Sequence, residues 1–445
     1  MKANQWQVDC SQHVYERNSS IVLARTGTGK TLSYLMTLQD WLESRSIRRA
    51  IVTAPLRVCN TVWRQEAEKW DIPVRFALCT GEMSRARQEE AIQDRERQLL
   101  VNHTMLPKIL NSNHGAQALL IDELSLFRRP GGAWQRAVRF CDIPIRTGGT
   151  GTPAPNGLTS IYGMTQAVGC NHVFKLPGGD FSRNHDKWQR RFFYPTDYQQ
   201  YAWAPFKETP DELAQLIEPY TYTLEAGAVD LPPVVRPPID VPLPPKLRRK
   251  YEEMRATSKL SDEEILADNA AIVRLKLRQI ISGFAYNEIG DAIGLEDDYR
   301  LDVLEEIVDE QQGQPILIVY EFRAQLDLMR KRWPRLAWIG GGSTGDEQTI
   351  THWNAGRLPM LALHPYAAGH GLNLQEGGSA IVWWQIPDDL EAYMQTLARL
   401  VRRGQKAESV YSYEISALGT IDQAVRARAA EKSAAQDDLW AALRR

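Results

Sequence analysis

Residues 21–31, IVLARTGTGKT, constrain the fold of this chain more than any other stretch. Ile21 to Ala24 read as a buried strand, a turn of small residues follows, and a helix pattern starts at Thr31. A strand running through glycines into a helix N-terminus leaves backbone N–H groups free to grip an anion. Gly27 and Gly29 let the backbone close around phosphate oxygens, and Lys30 places a point charge at the β- and γ-phosphates. Thr31 offers its hydroxyl to Mg²⁺. In the usual spacing a further glycine stands five residues before the last one, and here that position is Ala24. The pattern implies a nucleotide-binding α/β fold and leaves open what the nucleotide is used for.

The surrounding sequence extends that fold. The runs IVLA (21–24), AIVTA (50–54), RFALC (75–79), LLVN (99–102) and ALLIDE (118–123) are short and aliphatic, and helix-like stretches separate them. Such runs indicate a parallel sheet covered on both faces, with ligand chemistry in the loops at the carboxyl ends of the strands. Residues 231–245 hold seven prolines, so an extended connector is expected there rather than a helix. Beyond a mostly helical stretch, 246–310, a second series follows: PILIVY (315–320), RLAWIG (335–340), MLALH (360–364), AIVWW (380–384) and a strand at 409–415. An Ala-rich helix from Ile421 closes the chain.

At 445 residues there is room for two or three domains. No apolar run reaches the length of a membrane span, and the first residues lack a signal-peptide core. The five cysteines are scattered without a CxxC pair, which suits a reducing cytosol, and the eight histidines show no ligand spacing. A cytoplasmic protein is expected, with no metal beyond Mg²⁺. The formal net charge of −2 means that any nucleic-acid site must be a local patch.

Five further segments bear on function. Asp122 and Glu123 end an apolar strand; one carboxylate there can hold Mg²⁺ and the next can orient and deprotonate a water. RTGGTGTPAPNG (146–157) reads as a surface loop or as a rigid element touching the nucleotide site. QTLARLVRRGQ (395–405) looks helical up to Gly404, which puts Gln395, Arg399 and Arg402 on one face, with Arg403 off it. That face is either solvated surface or a source of arginine fingers. WQRRFFYP (188–195) interleaves Arg with aromatics and reads as helix core with solvated arginines, or as a base-stacking patch. KLRRKYEE (246–253) reads as a charged helix face.

In order along the chain, these segments resemble the motifs of a superfamily-two helicase motor, and most closely its Swi/Snf branch of double-stranded-DNA translocases. ARTGTGKT resembles motif I; TAPLRVCNTVWRQEAEKW (53–70) resembles motif Ia with a Trp-x-x-Glu signature. VNHTML (101–106), IDELS and TGTPAPN (150–156) resemble motifs Ib, II and III. LIVYEFRAQLDLM (317–329), AAGHGLNLQ (367–375) and QTLARLVRRGQ resemble motifs IV, V and VI, and Trp6-Gln7 resembles an adenine-reading pair.

The resemblance implies two RecA-like lobes, parallel sheets flanked by helices, with ATP between them and nucleic acid across both. Lobe 1 is expected over 1–235 with a helical protrusion at about 159–230. Residues 236–445 are expected to hold the Pro-rich linker, a helical protrusion at about 246–310, lobe 2 and a C-terminal brace helix. ATP contacts are implied for Gln7, Thr26, Gly27, Thr28, Gly29, Lys30, Thr31, Gly371 and Gln395. Catalysis is implied for Lys30, Asp122, Glu123, Arg399 and Arg402, with Mg²⁺ on Thr31 and Asp122. Arg57, Asn102, Thr150, Arg323 and Asn373 are implied as nucleic-acid contacts. Motif II reads Asp-Glu-Leu-Ser where many relatives have His, which leaves the coupling role of Ser125 open.

A compact, phage-type motor is expected, with no targeting, nuclease or zinc module, acting as a monomer with or without a protein partner. The first reading of function is an ATP-dependent DNA translocase that remodels protein–DNA or branched structures. A strand-separating DNA or RNA helicase shares every motif. A nucleotide-gated binding module without turnover is the third reading, opposed by the intact Glu123, Arg399 and Arg402.

Overall fold

The computed structural model describes residues 2–442 except 26, 155–156, 201–202, 225–228, 230, 261–264, 268, 296–297, 341, 344–345 and 368–371. The side chains of 266, 432–438 and 440–442 are likewise outside the description. The chain divides into two compact units, 1–230 with 432–445, and 231–431.

The first unit is built on a seven-stranded sheet. Its strands are β1 (Ser19–Leu23), β2 (Ala50–Ala54), β3 (Phe76–Cys79), β4 (Gln98–Asn102), β5 (Ala118–Asp122), β6 (Ile145–Thr150) and β7 (Thr221–Thr223). They lie in the order β7-β1-β6-β5-β2-β4-β3, all parallel. Side chains alternate across a strand. Ile21, Leu23, Leu119 and Ile121 accordingly enter one core, while Val22, Ala24, Leu120 and Val52 enter the other. Burial on both faces is why these strands read as unbroken apolar runs.

β6 is the strand that RTGGTG conceals. Its glycines are there for space: a Cβ on Gly148 would lie 2.8 Å from Leu124 Cδ1, and one on Gly149 would lie 2.6 Å from Tyr34 Oη. Glycine inside a strand marks such a close approach, so the segment is a central strand first and a loop only after Thr150.

The expected helical protrusion at 159–230 is largely part of the first core. It carries helices Ser160–Ala167, His185–Phe192 and Thr209–Ile217, two short hairpins, and β7 at its end. Trp188, Phe192 and Phe193 are buried in the same core as Ile121, while Arg190 and Arg191 face outward. The WQRRFF stretch is thus helix core with solvated arginines. Leu439, on the terminal helix Ile421–Ala442, is buried in this core as well.

The second unit holds another seven-stranded sheet: β8 (Val234–Val235), β9 (Pro238–Val241), β10 (Ile316–Val319), β11 (Ala337–Ile339), β12 (Met360–Leu363), β13 (Ala380–Trp383) and β14 (Val410–Ala417). The parallel order is β11-β12-β10-β13-β14, with β8 and β9 both on β14. The proline-rich segment is extended, as its composition requires, but it is no free connector. It forms the sheet edge, where prolines lose no ladder donor that matters. Residues 243–295 have their own core around Leu247, Tyr251, Met254, Leu277 and Ile280. The helix Tyr299–Glu310, expected in the protrusion, instead packs Leu301, Leu304 and Ile307 on the second sheet.

A buried ion pair ties the start of the terminal helix to this unit. Arg300 bonds the Asp422 carboxylate and donates through Nε to the Ile281 carbonyl (2.9 Å), while Asp422 also accepts the Ala417 N–H (3.1 Å). Both side chains are buried, and removing one partner strands the other charge. Asp422→Ala is expected to cost about 3–5 kcal/mol, read as a lowered unfolding midpoint. An unchanged midpoint would show the pair to be dispensable.

Candidate nucleotide and nucleic-acid site

The carboxyl ends of β1, β6 and β5 lie side by side, with Leu23 opposite Thr150 and Asp122 opposite Gly149. Gly27 (φ 83°) and Gly29 (φ 99°) occupy the left-handed region where glycine is favoured. At Gly29 an added Cβ would also meet Gln7 Nε2 at 2.9 Å. Ala24 needs no such freedom: it is buried, and its N–H continues the ladder to the Thr150 carbonyl (3.2 Å). The turn begins after this residue, so the position asks for no glycine.

Lys30 opens the helix Lys30–Glu43 and is buried, its Nζ donating to the carbonyls of Ala24 (2.8 Å) and Arg25 (3.4 Å). Thr28 Oγ1 donates to Arg25 O (2.7 Å), which fixes the loop, and Thr31 is half-buried beside Lys30. Gln7 Nε2 donates to the Gly29 carbonyl (3.0 Å), and its Oε1 accepts from the Asn4 N–H (2.9 Å). The N-terminal helix Gln5–Tyr15 is thereby pinned to the glycine loop.

Burial pushes the Asp122 carboxyl up from its ordinary value; the Lys30 ammonium, the Glu123 N–H and the Trp63 indole pull it back. In the sequence, Trp63 carries no signal beyond its place in the Trp-x-x-Glu signature. It is fully buried, stacks on Tyr34 with ring centroids 6.4 Å apart, and lies beside Asp122. Glu123 has a left-handed backbone (φ 60°, ψ 59°), which for a residue with a side chain costs about 1–2 kcal/mol. That conformation turns the chain sharply from β5 into the short helix Leu124–Phe127. Ser125 is fully buried in that turn. Asp122 and Thr31 supply hard oxygen donors, the kind that suits Mg²⁺.

Two residues expected as nucleic-acid contacts have buried side chains. Thr150 is fully buried, its hydroxyl accepting from the Thr152 N–H (3.0 Å), so its side chain offers no outer surface. Asn102 is buried too, with Oδ1 accepting from the Gly81 N–H (3.2 Å) and Nδ2 donating to Thr104 Oγ1 (2.6 Å). Both side chains hold loops together at the strand ends. Arg57 is half-buried on the helix Leu56–Asn60 after β2.

In the second unit the motif VI segment is less helical than its spacing suggests. The helix Leu390–Leu397 stops before Arg399, and the chain tightens into successive turns through Gly404 (φ 93°). The shared helix face for Gln395, Arg399 and Arg402 therefore does not exist. The two arginines still converge: Nη1 of each lies 3.3 Å from the Leu372 carbonyl, and Arg402 Nη1 also donates to Asn373 Oδ1 (2.5 Å). Anchoring on a carbonyl replaces helical spacing as the cause of their proximity. Gln395 is buried and donates to Glu391 (3.3 Å). Arg323 is exposed at the start of the helix Arg323–Arg332, paired with Asp327 at 3.2 Å. Thr26 and Gly371, and with them parts of motifs III and V (155–156 and 368–371), lie outside the described residues.

One cluster had no signal in the sequence. Arg278, almost fully buried, bonds Glu321 and the Ile386 carbonyl (2.9 Å) and lies 3.4 Å from Asp388. Burial works to raise Asp388, but Arg274 and Arg278 outweigh it and hold the carboxyl below its ordinary value. Burial raises Glu321 against the pull of Arg278. The cluster clamps the turn before Arg323 and the loop before the helix Leu390–Leu397 to the helix Ala270–Ile280. Its members are distant in sequence, so no spacing could announce it.

Among the described residues no helix is long and apolar enough to cross a membrane. Residues 4–141 match the DEAD/DEAH box helicase family. Protein p41 of Acyrthosiphon pisum secondary endosymbiont phage 1 is 30% identical, over 97% of this chain and 96% of that protein. The Sulfolobus solfataricus SWI2/SNF2 ATPase core, solved in complex with double-stranded DNA, is similar over 99% of this chain and 95% of that one, at 17% identity and a TM-score of 0.45. Matched from end to end by the phage protein, and by the DEAD/DEAH box family across its glycine loop and acidic strand end, the chain belongs to the superfamily-two helicases, which are nucleic-acid-dependent ATPases.

Proposed function

We propose that this chain is an ATP-dependent DNA translocase, stimulated by duplex DNA, that remodels protein–DNA complexes or branched DNA. The observation that carries the reading is the grouping of Gln7, Lys30 and Asp122 around one glycine loop. DNA as the track, and duplex as its form, rest on the likeness of the motifs to the Swi/Snf branch.

In this reading Gln7 senses the adenine edge and reports it to the loop through Gly29. Lys30 exchanges its two backbone carbonyls for phosphate oxygens, a trade that keeps the buried ammonium bonded throughout. Thr31 and Asp122 hold Mg²⁺, which when bound offsets charge on the phosphates. Glu123 orients a water and takes its proton. Arg399 and Arg402 stabilise the γ-phosphoryl group as it leaves, exchanging the Leu372 carbonyl for phosphate oxygens. Arg57 and Arg323 meet the DNA backbone, which carries no sequence information and suits a motor that must step along any sequence.

ATP turnover measured with duplex DNA, single-stranded DNA and RNA as separate stimulants tests this reading. Stimulation by duplex DNA is the expected result. Full-rate turnover with no nucleic acid present would overturn the coupling, and stimulation by RNA alone would replace the track.

A further inference from the structure

A left-handed backbone such as that of Glu123 (φ 60°) persists only where its surroundings over-determine it. The turn that Glu123 starts is bonded within itself: the Leu126 N–H donates to Glu123 O (3.0 Å) and the Arg128 N–H to Ser125 O (3.2 Å). Neighbouring elements hold it from outside. Leu124 fills the space that Gly148 of β6 leaves. The helix Ser160–Ala167 sits against the end of the turn, where a Cβ on Gly163 would lie 2.3 Å from Arg128 O and 2.6 Å from Phe127 O. Backbone meets backbone there, so neither side can give.

The third support is a histidine. His103 follows β4, is buried, and accepts the Leu106 N–H on its own carbonyl (3.2 Å). Its ring meets Phe127 edge-on with centroids 5.4 Å apart, and Trp134 at 5.5 Å; Phe127 and Trp134 are 6.0 Å apart. His103 Nδ1 and Thr53 Oγ1 share a hydrogen bond of 2.9 Å. Thr53 is fully buried in β2, opposite Val101 on one side and opposite Ile121, the residue before Asp122, on the other. The imidazole is thus bonded to the middle strand of β5-β2-β4 and packed on the last residue of the turn after Glu123.

A phenyl or aliphatic group would pack on Phe127 without any desolvation of polar atoms. The imidazole brings that desolvation, and what it adds is a directional bond that fixes how the ring meets Phe127. Orientation, more than burial, is what the Thr53–His103 pair supplies.

We infer that His103 is a positioning residue for ATP hydrolysis: locked by Thr53, its ring holds the Leu124–Phe127 turn and so keeps Glu123 in the strained backbone conformation from which it acts. This rests on the reading of Glu123 as the group that orients and deprotonates the water. His103 acts through Phe127 and the turn.

Single-turnover ATP hydrolysis by the full chain, with the nucleic acid that stimulates it best, tests this beside the affinity for a fluorescent ATP analogue. His103→Asn keeps an amide for Thr53 and removes the ring; Thr53→Val keeps the ring and removes its anchor. Each is expected to slow hydrolysis roughly 10- to 100-fold, the upper figure being the effect of a misplacement of about 1 Å, with analogue affinity unchanged. The double variant should lose no more than the worse single one, because the two residues act as a unit. Thr53→Ser, which keeps the hydroxyl, should recover the rate lost in Thr53→Val. In a Glu123→Gln background His103→Asn should add no further loss, an outcome that a role in folding alone does not give. Unfolding midpoints, read for each variant, confine the comparison to folded protein. Wild-type rates in His103→Asn or in Thr53→Val would overturn the proposal, as would affinity falling in step with rate, or a further loss in the Glu123→Gln background. Wild-type turnover in Glu123→Gln alone would instead remove Glu123 as the base, whatever His103 does.

Discussion

Lys30→Ala is expected to abolish multiple-turnover ATP hydrolysis, with single-turnover rates down by at least about 100- to 1,000-fold, the size of effect for removing one preorganised charge from a developing oxyanion. The structure adds a second consequence. Lys30 is the first group opposing the desolvation of Asp122, so its loss should raise the Asp122 pKa further and leave the carboxylate less well compensated. The same variant should therefore lose some stability near neutral pH, where the carboxylate is the charged form. Adding Asp122→Asn should restore stability without restoring turnover. Single-turnover hydrolysis and thermal unfolding of the single and double variants read both effects. Turnover within tenfold of wild type would remove Lys30 from the catalytic set.

Arg402→Ala is the second large effect. Arginine fingers are worth about 10³–10⁵ in turnover where they act on a leaving γ-phosphoryl group. A loss of that order is expected, with binding of a fluorescent ATP analogue retained, since the glycine loop and Gln7 belong to the other unit. Arg399→Ala should behave alike, because both guanidinium groups hold the Leu372 carbonyl. Arg403→Ala, one residue away and exposed, should turn over ATP as wild type does. Arg402→Lys should not rescue: an ammonium is a point charge and cannot reproduce the planar, bidentate grip of a guanidinium on phosphate oxygens. If Arg402→Ala and Arg403→Ala lose activity equally, the turn is structural and not a source of fingers.

Much of the first lobe was legible in its sequence because a sheet buried on both faces writes continuous aliphatic runs. Five of its strands follow from those runs alone. β6 was misread because its central residues are glycines, chosen for the space that Leu124 and Tyr34 require, and nothing local records that demand. β7 was missed for a related reason: three half-buried residues at an edge carry no apolar run. In the second unit the prolines of 231–245 rule out a helix, yet they say nothing about which strand the extended chain will pair with. The 395–405 segment shows the opposite failure. Its spacing fits a helix, and the helix still stops at Leu397, where the buried Arg399 and the half-buried Arg402 reach back to Leu372.

The sequence by itself determined the chemistry of the glycine loop, the acidic strand end and the order of the motifs, because strand, turn and helix are set by residues adjacent in the chain. Only the tertiary structure decided which polar side chains face inward. It buried Thr150 and Asn102, set Trp63 beside Asp122, and joined Arg278 to Glu321 and Asp388. The physical reason is that local pattern fixes backbone conformation, whereas burial and hydrogen-bond partners depend on segments far apart in sequence.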